Sequence, residues 1–181
     1  VASFLLLAGY RVWYSTWGII VSRATKIEMY KKIIDAIASR SACSRRKLGA
    51  IIVKDDRIVA TGYNGAPRGW ENCGDEVPCY KDKYGVPSGV IDYSCPSVHA
   101  EMNAIINAAY HGVSIKSGTL YTHVDPCFWC ALAIVNSGIK RVVVFADYSD
   151  KHGIEVLERS GIEVVRAKIH SQAMQEVAYD G

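Results

Sequence analysis

The 181-residue sequence has little excess charge of either sign. It carries 21 Lys and Arg against 18 Asp and Glu, a formal net charge of +3. So mild a balance does not imply nucleic-acid binding by bulk electrostatics. There is no internal repeat, which excludes solenoid and propeller architectures. The start lacks the basic region and the small-residue cleavage site of a secretory signal. It also lacks an unbroken apolar run. Residues 1–21 are apolar and aromatic, with Trp13, Tyr14 and Trp17, but Gly9, Arg11, Ser15, Thr16 and Gly18 interrupt them. Placing Arg11 near mid-bilayer costs ~2.5–3.5 kcal/mol. Residues 1–25 therefore read as an atypical apolar extension or an extra packed element in preference to a membrane anchor. What is present is a globular composition, half hydrophobic and 22% charged, at a length that suits one domain with a sizeable core.

Two short stretches carry chemistry. His99, Ala100 and Glu101 form His-x-Glu, and residues 126–130 read Pro-Cys-Phe-Trp-Cys. One imidazole and two thiolates suit zinc, and three protein ligands leave a fourth position for water, as catalytic zinc sites do. Cys127 and Cys130 are three apart and share a helix face. At a helix N-terminus the backbone dipole favours their thiolates. Glu101, two residues from His99, is placed to move protons. That spacing points the two apart inside a helix, so His99 is expected at or before the first turn, with Ser97 as the cap and Pro126 in the first turn of the second helix. Taken singly, Cys-x-x-C is equally a structural half-site or a redox pair. Glu101 has no use in a purely structural site.

Periodicity predicts a helix over 27–40 and a hairpin from strands 48–53 and 58–63 around Asp55 and Asp56. A long irregular stretch runs to Ser97, followed by the His99 helix ending near Gly112 and a strand over 119–123. The Cys127 helix ends at Gly138, and strand 141–146, helix 154–159, strand 162–165 and a short helix over 171–178 follow. This order predicts an α/β fold with a five-stranded mixed sheet between helices.

The chain resembles the cytidine and deoxycytidylate deaminase superfamily, and within it the deoxycytidylate (dCMP) deaminase family. The resemblance rests on 41–50 (Ser-Ala-Cys-Ser-Arg-Arg-Lys-Leu-Gly-Ala), 61–69 (Thr-Gly-Tyr-Asn-Gly-Ala-Pro-Arg-Gly), 99–105 (His-Ala-Glu-Met-Asn-Ala-Ile), 126–131 (Pro-Cys-Phe-Trp-Cys-Ala) and 137–140 (Ser-Gly-Ile-Lys). It implies a three-layer αβα deaminase domain over 26–181 and hydrolysis of dCMP to dUMP and ammonia, which supplies thymidylate synthesis. Zinc would lie on His99, Cys127 and Cys130, with Glu101 as the catalytic proton carrier. Asn64 matches a contact to the sugar 3′-hydroxyl; the alternative is an Asn chosen for a positive φ. Ala100 would offer its N–H to the pyrimidine carbonyl and Asn103 a second polar contact. Tyr148 would stack on the base, or serve only as a structural aromatic.

Arg45, Arg46, Lys47 and Arg68 are candidates for the phosphate or for an effector. Relatives imply activation by dCTP with Mg2+, inhibition by dTTP, and a homo-oligomer, a hexamer or smaller. Cys43, Cys73, Cys79 and Cys95 resemble the loop of relatives with a second, structural zinc; free thiols or a disulfide are the alternatives. Reduced thiols point to a cytoplasmic protein; the mild charge leaves no nucleic-acid partner expected, and the placement of Arg11 makes a membrane partner the disfavoured reading. Other zinc deaminases (acting on dCTP, cytidine, tRNA adenosine or a riboflavin precursor) and a non-catalytic zinc-binding interaction module remain as alternatives.

Overall fold

A computed structural model describes residues 3–7, 10–15, 18–21, 23–87, 90 and 94–168, the first three stretches as backbone only. The expected helix over 171–178 lies outside the described residues. The chain divides into two compact units, Val1–Met29 with Lys168–Gly181, and Tyr30–Ala167. In the first, strands β1 (Ser3–Leu7), β2 (Tyr10–Ser15) and β3 (Gly18–Val21) form an antiparallel meander. The sequence reading assigned no strands there.

Helix α1 (Lys26–Ala38) opens on a reciprocal cap. The Glu28 N–H donates to Thr25 Oγ1 at 3.2 Å, and the Thr25 N–H donates to Glu28 Oε2 at 2.7 Å. In the second unit, strands β4 (Gly49–Lys54) and β5 (Arg57–Tyr63) form the expected hairpin, with Asp55 and Asp56 at positive φ in its turn. Helices α2 (Tyr80–Lys83) and α3 (Ala100–Tyr110) precede β6 (Thr119–Val124). Then come α4 (Phe128–Asn136), β7 (Arg141–Ala146), α5 (His152–Arg159) and β8 (Glu163–Arg166).

The five-stranded sheet has the order β5-β4-β6-β7-β8. Strand β4 is antiparallel to both neighbours, whereas β6, β7 and β8 run parallel. The mixed α/β sheet expected from the sequence is present. Ile51 and Val53 of β4 pack on Tyr30 and Ile34 of α1. Their alternate neighbours, Ala50 and Ile52, join a larger core with α3, α4 and α5. That period-two division of β4 between two helical layers follows from strand geometry. All six residues of β4 are apolar or long-stemmed because both faces of the strand are covered.

Close backbone approach sets the position of α3. A Cβ on Gly62 of β5 would lie 2.3 Å from the Ala100 carbonyl oxygen and 2.4 Å from the Ala104 nitrogen. Only glycine lets the strand run against the start of that helix. Two antiparallel bonds between Gly65 and Val98 then bring the turn after β5 beside His99. Among the described residues, no helix is long and apolar enough to cross a membrane.

Candidate active site

His99 is the N-cap of α3, with extended ψ of 156°, and Cys127 is the N-cap of α4, with ψ of 168°. Neither residue caps with its own side chain, so the imidazole and the thiol are left to meet each other. Cys130 stands in the first turn of α4. His99 Nδ1 lies 3.3 Å from Cys127 Sγ and 3.5 Å from Cys130 Sγ. All three donor atoms fall within 4.8 Å of one another, and no other such group of three or more occurs among the described residues. A tetrahedral zinc with Zn–N near ~2.0 Å and Zn–S near ~2.3 Å has N···S edges of roughly 3.5 Å. The residues present fit that ion. Pro126 stands one residue outside the helix, not in its first turn as expected. Ser97 does not cap α3 either; its Oγ is buried with no hydrogen-bond partner.

The electrostatics of the cluster follow from proximity. The hydrogen bond with Cys130, helped by His99 and opposed by burial, holds the Cys127 thiol down to about 4. That same bond, with burial, pushes Cys130 far up. The bond with Cys127 raises His99, against burial. A cation bound here would hold these groups as two thiolates and a neutral imidazole. Glu101 sits on the buried side, 4% exposed. Burial raises its carboxyl above the ordinary range, although the His99 charge and a bond from Thr122 oppose this. Its Oε1 accepts from Thr122 Oγ1 at 2.8 Å, and Cys130 Sγ lies 3.8 Å from Oε2.

These groups open onto a cavity of about 450 Å³. Asn64, Tyr148, Arg45 and Arg46 from the candidate list also line it, together with Cys79 and Cys95. Asn103, Lys47 and Arg68 are not among the lining residues. The Asn103 amide donates to the Tyr63 carbonyl at 2.7 Å. Arg68 reaches Asn107 Oδ1 at 3.2 Å and stacks 4.6 Å from the Tyr110 ring. Ala100 is buried at the first position of α3.

Asn64 does not have a positive φ; among the described residues, Asp55, Asp56 and Ser117 are the non-glycines that do. Its side chain instead pins the backbone before β4. Oδ1 accepts from the Leu48 N–H at 2.8 Å and Nδ2 donates to the Arg46 carbonyl at 2.9 Å. The Asn64 N–H also donates to the Leu48 carbonyl at 3.1 Å, so backbone and side chain together tie the two segments.

The basic candidates separate by partner. Arg45 is committed to the loop, donating to Asp82 Oδ1 at 2.6 Å and to the Val86 carbonyl at 2.7 Å. Arg46 lies 5.3 Å from the Tyr148 ring centre. Lys81, which the sequence reading missed, lines the cavity from α2 and donates to the Val90 carbonyl at 2.5 Å. A single lysine in an irregular stretch carries no periodic signal that could have marked it. Also missed was Asp125, whose side chain is fully buried against Arg166 and Lys151.

The structural zinc expected on Cys43, Cys73, Cys79 and Cys95 is not supported by the geometry. No three of these sulfurs come within 4.8 Å of one another. The loop is held instead by Arg45 on Asp82 and Val86, by Lys81 on Val90 and by the Gly65–Val98 bridge. All six cysteines are free thiols.

The segments that carry this site fall within a region similar to known proteins. A family model described as the cytidine and deoxycytidylate deaminase zinc-binding region matches residues 24–146. A deoxycytidylate deaminase of Mycobacterium phage D29 is 41% identical over 128 residues, 68% of this chain and 96% of that protein. One from Schizosaccharomyces pombe is 34% identical over 136 residues, 75% of this chain but only 42% of the yeast protein. The crystal structure of a dCMP deaminase from cyanophage S-TIM5 in complex with dCMP and dUMP matches with a TM-score of 0.67 at 33% identity, covering 82% of this chain and all of that one.

Proposed function

We propose, from the premise that this chain belongs to the cytidine and deoxycytidylate deaminase zinc-binding family, that it hydrolyses dCMP to dUMP and ammonia. The observation that carries the reading is the meeting of His99 Nδ1 with both sulfurs in a cavity whose buried wall presents Glu101. His99, Cys127 and Cys130 would hold the ion. Bound there, zinc supplies a water activated as a nucleophile near neutral pH.

The other tasks fall to the chain. Glu101 takes the proton of the attacking water and returns protons to the ring nitrogen and to the amine leaving C4. Its raised pKa suits a group that must both accept and donate. The Ala100 N–H, at the positive end of α3, would receive the pyrimidine carbonyl. Tyr148 would stack on the base. Arg46 and Lys81, both on the cavity wall, would take the 5′-phosphate. Asn64 would meet the sugar, although much of its amide is committed to Arg46 and Leu48.

Regulation by dCTP and dTTP with Mg2+, and assembly into a hexamer or smaller oligomer, rest on resemblance. The Gly-Tyr-Asn-Gly segment over 62–65, at the end of β5, supports the first. The exposed Phe128, Trp129 and Leu132 of α4 support the second. Free thiols throughout support a reducing, cytoplasmic setting. The deciding experiment is ammonia release from dCMP, dCTP, cytidine and adenosine, each with and without dCTP or dTTP as effector. Turnover confined to dCMP is the expected result, and release from adenosine alone would overturn it.

A further inference from the structure

The inward face of β6 is made by Leu120, Thr122 and Val124. Across the sheet Thr122 stands opposite Ala50 on one side and Val144 on the other. Every neighbour in that row is apolar, yet a hydroxyl sits in the middle of it with 0% exposure. A buried hydroxyl costs free energy unless it is bonded. Valine has nearly the same shape and would fill the space without that cost, so packing does not account for the threonine. What accounts for it is Glu101 Oε1, to which Thr122 Oγ1 donates at 2.8 Å.

We propose that Thr122 is a positioning residue for Glu101. It holds Oε1 against the sheet so that Oε2 alone faces the His99, Cys127 and Cys130 cluster. The two carboxylate oxygens are inequivalent in the structure: Oε1 is tied to β6, and Oε2 lies on the side of Cys130 Sγ, 3.8 Å away. Glu101 is attached to the first turn of α3 and Thr122 to β6, so their bond also fixes the carboxylate relative to the sheet. A carboxylate anchored at one oxygen cannot rotate about its last torsion, which is otherwise broad. Small misplacements of a proton carrier are costly in rate. The assignment rests on the deamination reading for its kinetic consequence, but not for its geometry.

The test compares the wild type with T122V and T122S. The measurements are kcat and KM for dCMP, zinc per chain, melting temperature and the crystal structure of T122V. T122V should lose about tenfold or more in kcat with KM within about twofold. It should keep its zinc and stay folded, its melting temperature lowered only by the loss of the one bond to Glu101 Oε1, because its core volume is unchanged. T122S, which restores the hydroxyl in a smaller side chain, should recover kcat to within about threefold of wild type. Glu101 should take a second rotamer in T122V. The proposal is overturned if T122V turns over within twofold of wild type, if T122S is as slow as T122V, or if T122V loses zinc. Should the wild type release no ammonia from dCMP, the functional reading fails and the rotamer decides alone: a displaced Glu101 in T122V supports the positioning role, and an unmoved one overturns it.

Discussion

The N–H of Tyr148 donates to Oδ2 of Asp125 at 3.1 Å. This bond joins the loop after β7 to the segment that delivers Cys127. Asp125 also receives Lys151 Nζ at 2.9 Å and Arg166 Nη1 at 2.8 Å, from the start of α5 and the end of β8. One buried carboxylate thus gathers three later segments around the stretch that carries Cys127 and turns Tyr148 toward the cavity.

Asp125→Asn should destabilise the protein by about 1–3 kcal/mol at pH 7 and raise KM for dCMP more than it lowers kcat. Burial pushes the Asp125 carboxyl up, but the bonds from Lys151 and Arg166 outweigh it and leave the pKa below its ordinary value. A depressed folded pKa contributes stability above the unfolded value, and that contribution is lost as pH falls through the folded value. Urea unfolding at neutral pH and below pH ~4 checks the sign. The gap between wild type and variant should narrow in acid, and a constant gap would count against the account.

Gly153→Ala tests the seating of α5. An added Cβ would lie 1.9 Å from the Pro126 carbonyl oxygen and 2.9 Å from the Cys127 carbonyl carbon. Overpacking of this kind costs about 1–3 kcal/mol, and here it would displace a metal ligand as well. The variant should melt lower and also retain less zinc after dialysis against a mild chelator.

Glu101→Gln preserves shape and removes the proton carrier. It should hold zinc at wild-type stoichiometry and lose about 10²–10⁴ in kcat. Cys127→Ala, by contrast, should lose the metal. Total-metal analysis of both variants beside the wild type, expected near one zinc per chain, separates the two roles and tests the absence of a second site.

Arg46→Ala should raise KM for dCMP about tenfold while leaving deoxycytidine kinetics unchanged, because only the nucleotide carries the phosphate. Arg68→Ala is the control: Arg68 lies on Tyr110 and Asn107, away from the cavity lining, and its KM should stay at the wild-type value. Equal effects of Arg46→Ala on both substrates would move its role from phosphate to base.

The residue order alone made most of the second unit legible. Helix α1 shows its period because one face of it is buried, and β4 reads as a continuous apolar run because both of its faces are covered. Asp55 with Asp56, and Gly112 and Gly138, mark turns because few residues accept those backbone angles. His99, Glu101, Cys127 and Cys130 were legible because each pair is local, within three positions of its partner. Tertiary structure decided what depends on long separations. Asn64 turned out to brace residues 16 and 18 positions earlier. Arg45 turned out to be committed to Asp82, 37 positions on, and Arg68 was drawn to Asn107 and Tyr110. Thr122 read from sequence as one more strand residue; only the packing of α3 on β6 shows that its hydroxyl meets Glu101. Local spacing reports which groups can act together, while the folded sheet and its helices settle which distant groups hold them in place, because contacts between residues so far apart leave no period in the chain.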